Sequence, residues 1–243
     1  MRSRKEIEKI LKLRDSGQSH SQIARETKIS RSTVRDICNR YAHVSQLAEE
    51  SVSKTDCWRF ESSHGHYAYL LGCYLGDGYI SQGARCCRLR ITLDRKYPDI
   101  IKEVVDAISI IMPNNRVGLV ESKGCIDVSC YSKKWPSAFP QSGKGKKHER
   151  SIVLNKWQKE IVKSNPQNMM KGLIHSDGCR DSNIINGKSY PRYSFSNLSS
   201  DILDIFCWVC QLLDIKYKRS DRIVSIAKRE DVEKMDKWIG PKK

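Results

Sequence analysis

Two short stretches, Leu70–Gly78 (LLGCYLGDG) and Gly172–Gly178 (GLIHSDG), have Asp-Gly ends that stand 100 residues apart, and together they limit how this chain can fold. Each reads as an apolar helix, yet in each a glycine is followed four residues later by another small residue, Gly72 by Gly76 and Gly172 by Ser176. A glycine inside a helix costs about 1 kcal/mol against alanine, so the pattern needs a reason. Positions i and i+4 share one helix face, and two such smooth stripes let two backbones approach closely. Both helices should end at an aspartate, and Gly78 and Gly178 suit a post-helix position of positive φ. Close packing would then bring Asp77 and Asp177 together at one end of the interface.

The segments downstream of the two stretches repeat as well. After Asp77 the segment GYISQGARCCRLRITLD alternates as a half-buried strand, with Arg88 and Arg90 outward and Leu89 and Ile91 inward. An amphipathic helix (YPDIIKEVVDAISIIM), two short strands around Lys123–Gly124 and a closing KKWPSAF complete the unit. After Asp177 come the strand YPRYSFSN, the helix SDILDIFCWVCQLLDI, the strand pair YKRSDRIVSIAK and the closing helix REDVEKMDKWIG. Asp99 pairs with Asp201 and Trp135 with Trp238 at nearly equal offsets. Repetition of this kind predicts a two-repeat α+β domain.

Residues 1–45 form a separate, all-α block. Ile7, Ile10, Leu11 and Leu13 have helical spacing that stops near Gly17. A short helix around Ile23–Glu26, a tight turn at Lys28–Ile29 and a second helix capped by Ser30 make a helix-turn-helix. Ile29, Val34 and Ile37 should close its core around a small Ala24. Its free face offers Arg31, Ser32, Thr33, Arg35 and Asn39, types that contact phosphates and base edges. The block resembles the helix-turn-helix of resolvase-type and other bacterial DNA-binding proteins. Lys28 stands where such turns usually carry glycine, which predicts a strained φ there. Residues 46–63 read as a linker, and residues 64–243 as the repeat domain, divided near residue 150.

Lys and Arg number 44 against 28 Asp and Glu, a net charge of +16 that favours a polyanionic partner, nucleic acid first. No apolar run approaches the roughly 20 residues of a membrane span, and the charged start has no signal-peptide pattern. The expectation is a soluble, cytoplasmic protein, nucleoid-associated if bacterial, with its ten cysteines as free thiols. Cys207 and Cys210 have metal-site spacing but fall within an apolar helix, where core packing is expected.

Two juxtaposed carboxylates repel unless a cation or a shared proton lies between them. Mg²⁺ accepts one or two protein carboxylates and completes its shell with water and phosphate oxygens, an arrangement suited to phosphodiester hydrolysis. Here the sequence resembles the LAGLIDADG homing endonuclease family in its single-chain, two-motif form, over about residues 64–243. LLGCYLGDG aligns with the family motif, and MKGLIHSDG matches it at Gly172, Asp177 and Gly178. The resemblance implies two αββαββα halves related by a pseudo-twofold, motif helices at the centre and strands saddling the DNA major groove. It also implies Mg²⁺ or another divalent cation held by Asp77 and Asp177, cleavage of double-stranded DNA, and a monomer acting as a pseudo-dimer. Family members carry a lysine past the closing helix of a repeat. Lys144, Lys146 and Lys147 lie in that neighbourhood in the first repeat, Lys242 and Lys243 in the second, and Lys146, Lys147 and Lys242 are the catalytic candidates. Arg85, Arg88 and Arg90, with Lys188 and Arg192, are the expected DNA contacts, on or beside the first strand after each motif helix. The motif's earlier acid is replaced by Leu75 and His175, and His175 is expected to be packed or hydrogen-bonded. The rival reading is a DNA-binding transcriptional regulator that keeps the fold without cleavage.

Overall fold

The computed structural model describes residues 4–38, 61–240 and 242. Two compact units divide the chain, residues 1–54 and 55–243.

The described residues of the first unit form three helices, α1 (Arg4–Asp15), α2 (His20–Thr27) and α3, of which residues 31–38 are described. Ser19 opens α2 with a capping box, its hydroxyl and the Gln22 side chain satisfying each other's backbone amides. Ser30 opens α3, accepting from the Thr33 amide at 3.2 Å. Ile10, Ile23, Ile29, Val34 and Cys38 make the core, with Ala24 and Ile37 packed against it. Lys28 takes the left-handed conformation that the sequence predicts, with φ 55° and ψ 29°. Such a conformation costs a side chain with a Cβ about 1 kcal/mol or more. Lys28→Gly should therefore stabilise this unit by about 0.5–1 kcal/mol, read as slower amide exchange at Ile23 and Val34. No change, or faster exchange, would show that the turn carries no strain.

The second unit begins with a 3₁₀ turn (Glu61–Ser63) that leads into α4 (His64–Asp77). Strands β1 (Gly78–Gln82) and β2 (Cys87–Asp94), helix α5 (Pro98–Ile111), strands β3 (Val117–Ser122) and β4 (Cys125–Tyr131) and the short α6 (Trp135–Ala138) complete the first repeat. Helix α7 (Lys156–Ser164) precedes the second repeat. That repeat runs α8 (Pro166–Asp177), β5 (Gly178–Ile185), β6 (Lys188–Ser196), α9 (Ser200–Leu212), β7 (Lys218–Arg219), β8 (Ile223–Ile226) and α10 (Arg229–Asp236). Each repeat forms a four-stranded antiparallel sheet, ordered β1-β2-β4-β3 and β5-β6-β8-β7. The class is α+β with two αββαββα halves, as expected. Leu89, Ile91 and Leu93 face the core while Arg88, Arg90 and Thr92 alternate with them outward.

At the centre α4 packs along α8. A Cβ on Gly72 would lie 2.6 Å from the Met169 carbonyl oxygen and 2.7 Å from the Leu173 amide nitrogen. One on Gly172 would overlap the Tyr69 carbonyl oxygen, and one on Gly76 would overlap the Ser176 hydroxyl. Gly72 and Gly172 are thus where backbone meets backbone, and Gly76 is where the backbone of α4 meets the Ser176 side chain. From Tyr67 to Leu75 every residue of α4 is buried, which explains a helix apolar on all sides.

Two expectations need correction. Gly78 and Gly178 are extended, at φ −87° and −97°, so no positive φ selects them. Space does: a Cβ at Gly78 would stand 2.5 Å from Tyr74 Cα, and one at Gly178 2.6 Å from Ile174 Cα. The stretch 78–94 is also not one strand but a hairpin, in which Gly78 pairs with Ile91 and Gln82 with Cys87. Arg85 therefore lies in the β1–β2 loop, and Arg88, Arg90, Lys188 and Arg192 lie on the second strand after each motif helix. An alternating pattern gives a strand its faces but does not show where the chain reverses.

The connector after α6 is ordered by a polar cluster that has no signature in the sequence. Tyr67 donates its hydroxyl proton to the Ala138 carbonyl at 2.6 Å, and Gln158 Nε2 donates to the Tyr67 hydroxyl at 2.8 Å. Gln141 Nε2 donates to Gln158 Oε1 at 2.6 Å. Asp201, in the first turn of α9, accepts from the Ile152 amide at 2.7 Å. These bonds fix the path of residues 139–158, and with it the position of Lys147.

Candidate active site

Helices α4 and α8 run to Asp77 and Asp177, and the glycine-lined crossing brings these ends together. The Gly76 Cβ position is only 3.0 Å from Asp177 Oδ2. The last carbonyls of a helix lack intrahelical donors, and the C-terminus carries about half a negative charge. Two carboxylates and two negative helix ends thus converge on one place.

Two lysines answer that charge symmetrically. Lys147 Nζ donates to the Tyr74, Leu75 and Gly76 carbonyls at 2.5, 3.0 and 2.8 Å. Lys242 Nζ donates to the His175, Ser176 and Gly178 carbonyls at 3.1, 3.4 and 2.5 Å. Of the lysine candidates these two reach the motif helices. Lys146 is exposed, lies 3.9 Å from Glu149 and lines the neighbouring cavity. Lys144 is exposed, and Lys243 lies outside the described residues. With its protons on carbonyls, each ammonium is a fixed positive charge and a helix cap.

Burial first, and then the charge of Asp177, raises the Asp77 carboxyl to about 6, against the opposing pull of Lys147 and Lys242. Burial raises Asp177 too, opposed by Asn197 and the two lysines. Burial lowers Lys147 to about 8 and lowers Lys242, with both aspartates acting the other way. Burial thus outweighs the two ammonium charges at both carboxylates.

The donor set fits a hard divalent cation such as Mg²⁺. It consists of carboxylate oxygens, with room left for water and phosphate. Among the described residues no group of three or more His, Cys, Asp or Glu side chains is placed to hold a metal. The protein offers Asp77 and Asp177.

Asn197 is a site residue that the sequence does not reveal: its Nδ2 donates to Asp177 Oδ2 at 2.6 Å. Among the described residues no donor is hydrogen-bonded to the Asp77 carboxylate, so the two acids are not equivalent. A cavity of about 470 Å³ opens beside Asp177, walled by Lys146, Lys147, His148 and Arg150 and by Asn197. Only the offset of Asn197 from Asp177, one hairpin downstream, could have hinted at its role.

His175 is buried, as expected. Its Nδ1 lies 3.0 Å from the Tyr69 hydroxyl, and burial with Lys171 and Lys242 nearby lowers it to about 3. Cys207 and Cys210 are buried in α9, and the described cysteines are free thiols. The outward face of the first sheet carries Arg88 and Arg90, and that of the second carries Arg192 and Lys188. Arg31, Ser32 and Arg35 are exposed on α3 and Thr33 is half-buried, while Asn39 lies outside the described residues. Among those residues no helix is long and apolar enough to cross a membrane.

Comparison with known proteins agrees with this architecture. Residues 2–35 match the helix-turn-helix domain of resolvase. No curated protein matches the sequence. Among solved structures, I-DmoI in complex with DNA and Mn is 16% identical, with a TM-score of 0.52 over 73% of this chain and 97% of that one. Mesophilic variants of the homing endonuclease I-DmoI are 17% identical, with a TM-score of 0.52 over 74% of this chain and 97% of theirs. Full-length DUF199/WhiA from Thermatoga maritima is 14% identical, with a TM-score of 0.50 over 81% of this chain and 61% of that one. Behind a resolvase-type helix-turn-helix, this chain has the LAGLIDADG homing-endonuclease fold.

Proposed function

We infer that this chain is a DNA-binding endonuclease that hydrolyses phosphodiester bonds in double-stranded DNA with Mg²⁺ or another divalent cation. The observation that carries the reading is the paired site itself, with Asp77 and Asp177 at adjoining helix ends and Lys147 and Lys242 capping those ends. A protein that only binds DNA gains nothing from two half-buried carboxylates that repel each other and the phosphates. The neighbouring I-DmoI structures hold DNA together with Mn, or target DNA in the presence of Mg.

When bound, the cation activates a water and neutralises charge developing on the phosphate. Asp77 and Asp177 would hold it. Asn197 keeps the Asp177 carboxylate in one orientation. Lys147 and Lys242 fix both helix ends and contribute positive charge where the phosphate enters. The outward sheet faces and α3 supply two DNA-contacting surfaces, and the chain works as a monomer whose repeats replace the two halves of a dimer.

The deciding experiment is digestion of a genomic plasmid library with Mg²⁺, comparing wild type with Asp77→Asn and Asp177→Asn. Cuts that need Mg²⁺ and vanish in either variant support the endonuclease. Tight binding with no cuts under any divalent metal identifies the regulator instead.

The carboxylates must be ionised and Lys147 protonated. At subsaturating Mg²⁺ cleavage should thus rise with pH as cation and proton compete for Asp77, whose metal-free carboxyl is raised to about 6, and fall as Lys147, lowered to about 8, loses its proton. Lys147→Met should lower the plateau by tenfold or more and remove the fall at high pH. A Lys147→Met profile that keeps the alkaline limb would assign that limb elsewhere.

A further inference from the structure

Arginine can read guanine or grip phosphate, and the sheet faces show which of these two of the arginines are built for. Arg90 Nη1 lies 3.7 Å from Asp127 Oδ2, and Thr92 donates its hydroxyl proton to Asp127 Oδ1 at 2.6 Å. The Asp127 side chain is 15% exposed and that of Arg90 45%, so the acid is fixed and the guanidinium is presented. In the other sheet Arg192 Nε donates to Asp181 Oδ1 at 3.0 Å, and the two residues sit directly opposite in the β5–β6 register. Arg88 differs: its guanidinium lies over the Tyr131 ring at 5.8 Å, and among the described residues it forms no ion pair.

A face made only to hold phosphates is weakened by carboxylates, because they repel the backbone they meet. A carboxylate that holds one edge of an arginine leaves the rest of the fork presented. It also removes much of the rotamer freedom that base reading would otherwise cost. A held, planar donor pair is what guanine O6 and N7 require in the major groove. The geometry points to Arg90 and Arg192 as guanine-reading residues, one in each half of the target, with Asp127 and Asp181 as their positioning residues. This assignment rests on the DNA-binding reading above.

The register adds a prediction about spacing. Ile91 is opposite Gly78, which puts Arg90 one residue away from the strand position beside the aspartates. Phe195 is opposite Gly178, which puts Arg192 three residues away. The counterpart of Arg90 is Ser194, and that of Arg192 is Arg88. The second arginine therefore stands two residues farther out, about 7 Å at roughly 3.4 Å per residue. Along DNA that is about two base-pair steps. The target should not be a palindrome, and its two fixed guanines should lie at unequal distances from the centre.

The test is selection from randomised duplexes by the full chain in EDTA, so that nothing is cut. Wild type should fix one G·C pair in each half, the outer about two positions farther from the centre. Arg90→Ala should abolish the inner preference and Arg192→Ala the outer, each by roughly tenfold or more. Asp127→Ala should relax the inner position severalfold without weakening binding to unrelated duplex, and Asp181→Ala should do the same at the outer. Unchanged thermal midpoints would show that these surface variants fold. If the arginine variants weaken all sequences alike, they grip phosphate and the assignment fails while DNA binding stands. If Asp127→Ala and Asp181→Ala leave both preferences intact, the positioning role fails. If wild type enriches no motif, the DNA-recognition reading falls with it.

Discussion

Asp77→Asn is expected to make the metal-free protein more stable while removing its response to Mg²⁺. The Asp77 carboxyl is raised to about 6 in the folded chain, against 3.8 as the ordinary value. An acid raised on folding binds protons more tightly in the native state. Stability therefore falls as pH rises from about 4 through about 6, and the loss is fully present at pH 7.5. At 1.36 kcal/mol per pKa unit the penalty is on the order of 2–3 kcal/mol. The asparagine variant carries no such charge. Its thermal midpoint in EDTA at pH 7.5 should exceed that of wild type by about 5 °C, and the gap should close as pH falls toward 4. Added Mg²⁺ should raise the wild-type midpoint by binding linkage and leave the variant nearly unmoved. A variant no more stable than wild type in EDTA, yet equally stabilised by Mg²⁺, would show that Asp77 belongs to no cation site.

Gly172→Ala should be more damaging than alanine at any other glycine of the chain. The new Cβ would overlap the Tyr69 carbonyl oxygen and stand 3.0 Å from the Cys73 amide nitrogen. Both are backbone atoms in the middle of α4, so neither can rotate away. Relief requires α4 and α8 to separate along their contact, and the core on both sides would lose packing. Alanine's better helix propensity offsets only about 1 kcal/mol. A net loss of about 4 kcal/mol or more is expected, in the range reserved for core disruption. Urea denaturation of the second unit measures it. Gly124→Ala is the comparison, because a Cβ there meets nothing within 4 Å and only its positive φ of 79° resists. A loss at Gly172 no larger than at Gly124 would mean that the helices do not pack backbone to backbone.

Much of this architecture is legible in the residues. The Gly72/Gly76 and Gly172/Ser176 spacings announce the helix pair, because close approach of two helices leaves a local signature in side-chain size. Alternation defines the strand faces and places Arg88 and Arg90 outward. The left-handed Lys28 follows from one turn and its neighbours. The misreadings are of a different kind. At Gly78 and Gly178 the sequence suggests a torsional reason, when the reason is a collision with Tyr74 and Ile174. The hairpin after Asp77 reads as a single strand, because reversal at residues 83–86 carries no strong turn dipeptide. Asn197, Asp127 and Asp181 are polar residues on or beside strands, and nothing local separates them from surface residues.

That two like helices meet, that each ends in an aspartate, and that the repeats around them share one order of elements can all be read along the chain. These are properties of spacing and side-chain volume, which act between near neighbours along the chain. Packing in three dimensions selected Lys147 and Lys242, rather than Lys146, to cap the motif helices, and it set Asn197 against Asp177 while no such donor among the described residues serves Asp77. It also placed Asp127 beside Arg90 and Asp181 beside Arg192. Such choices join residues 11 to 73 positions apart. Hydrogen bonds at about 3 Å, and for Arg90 an ion pair at 3.7 Å, fix them, and the order of residues along the chain has no bearing on these.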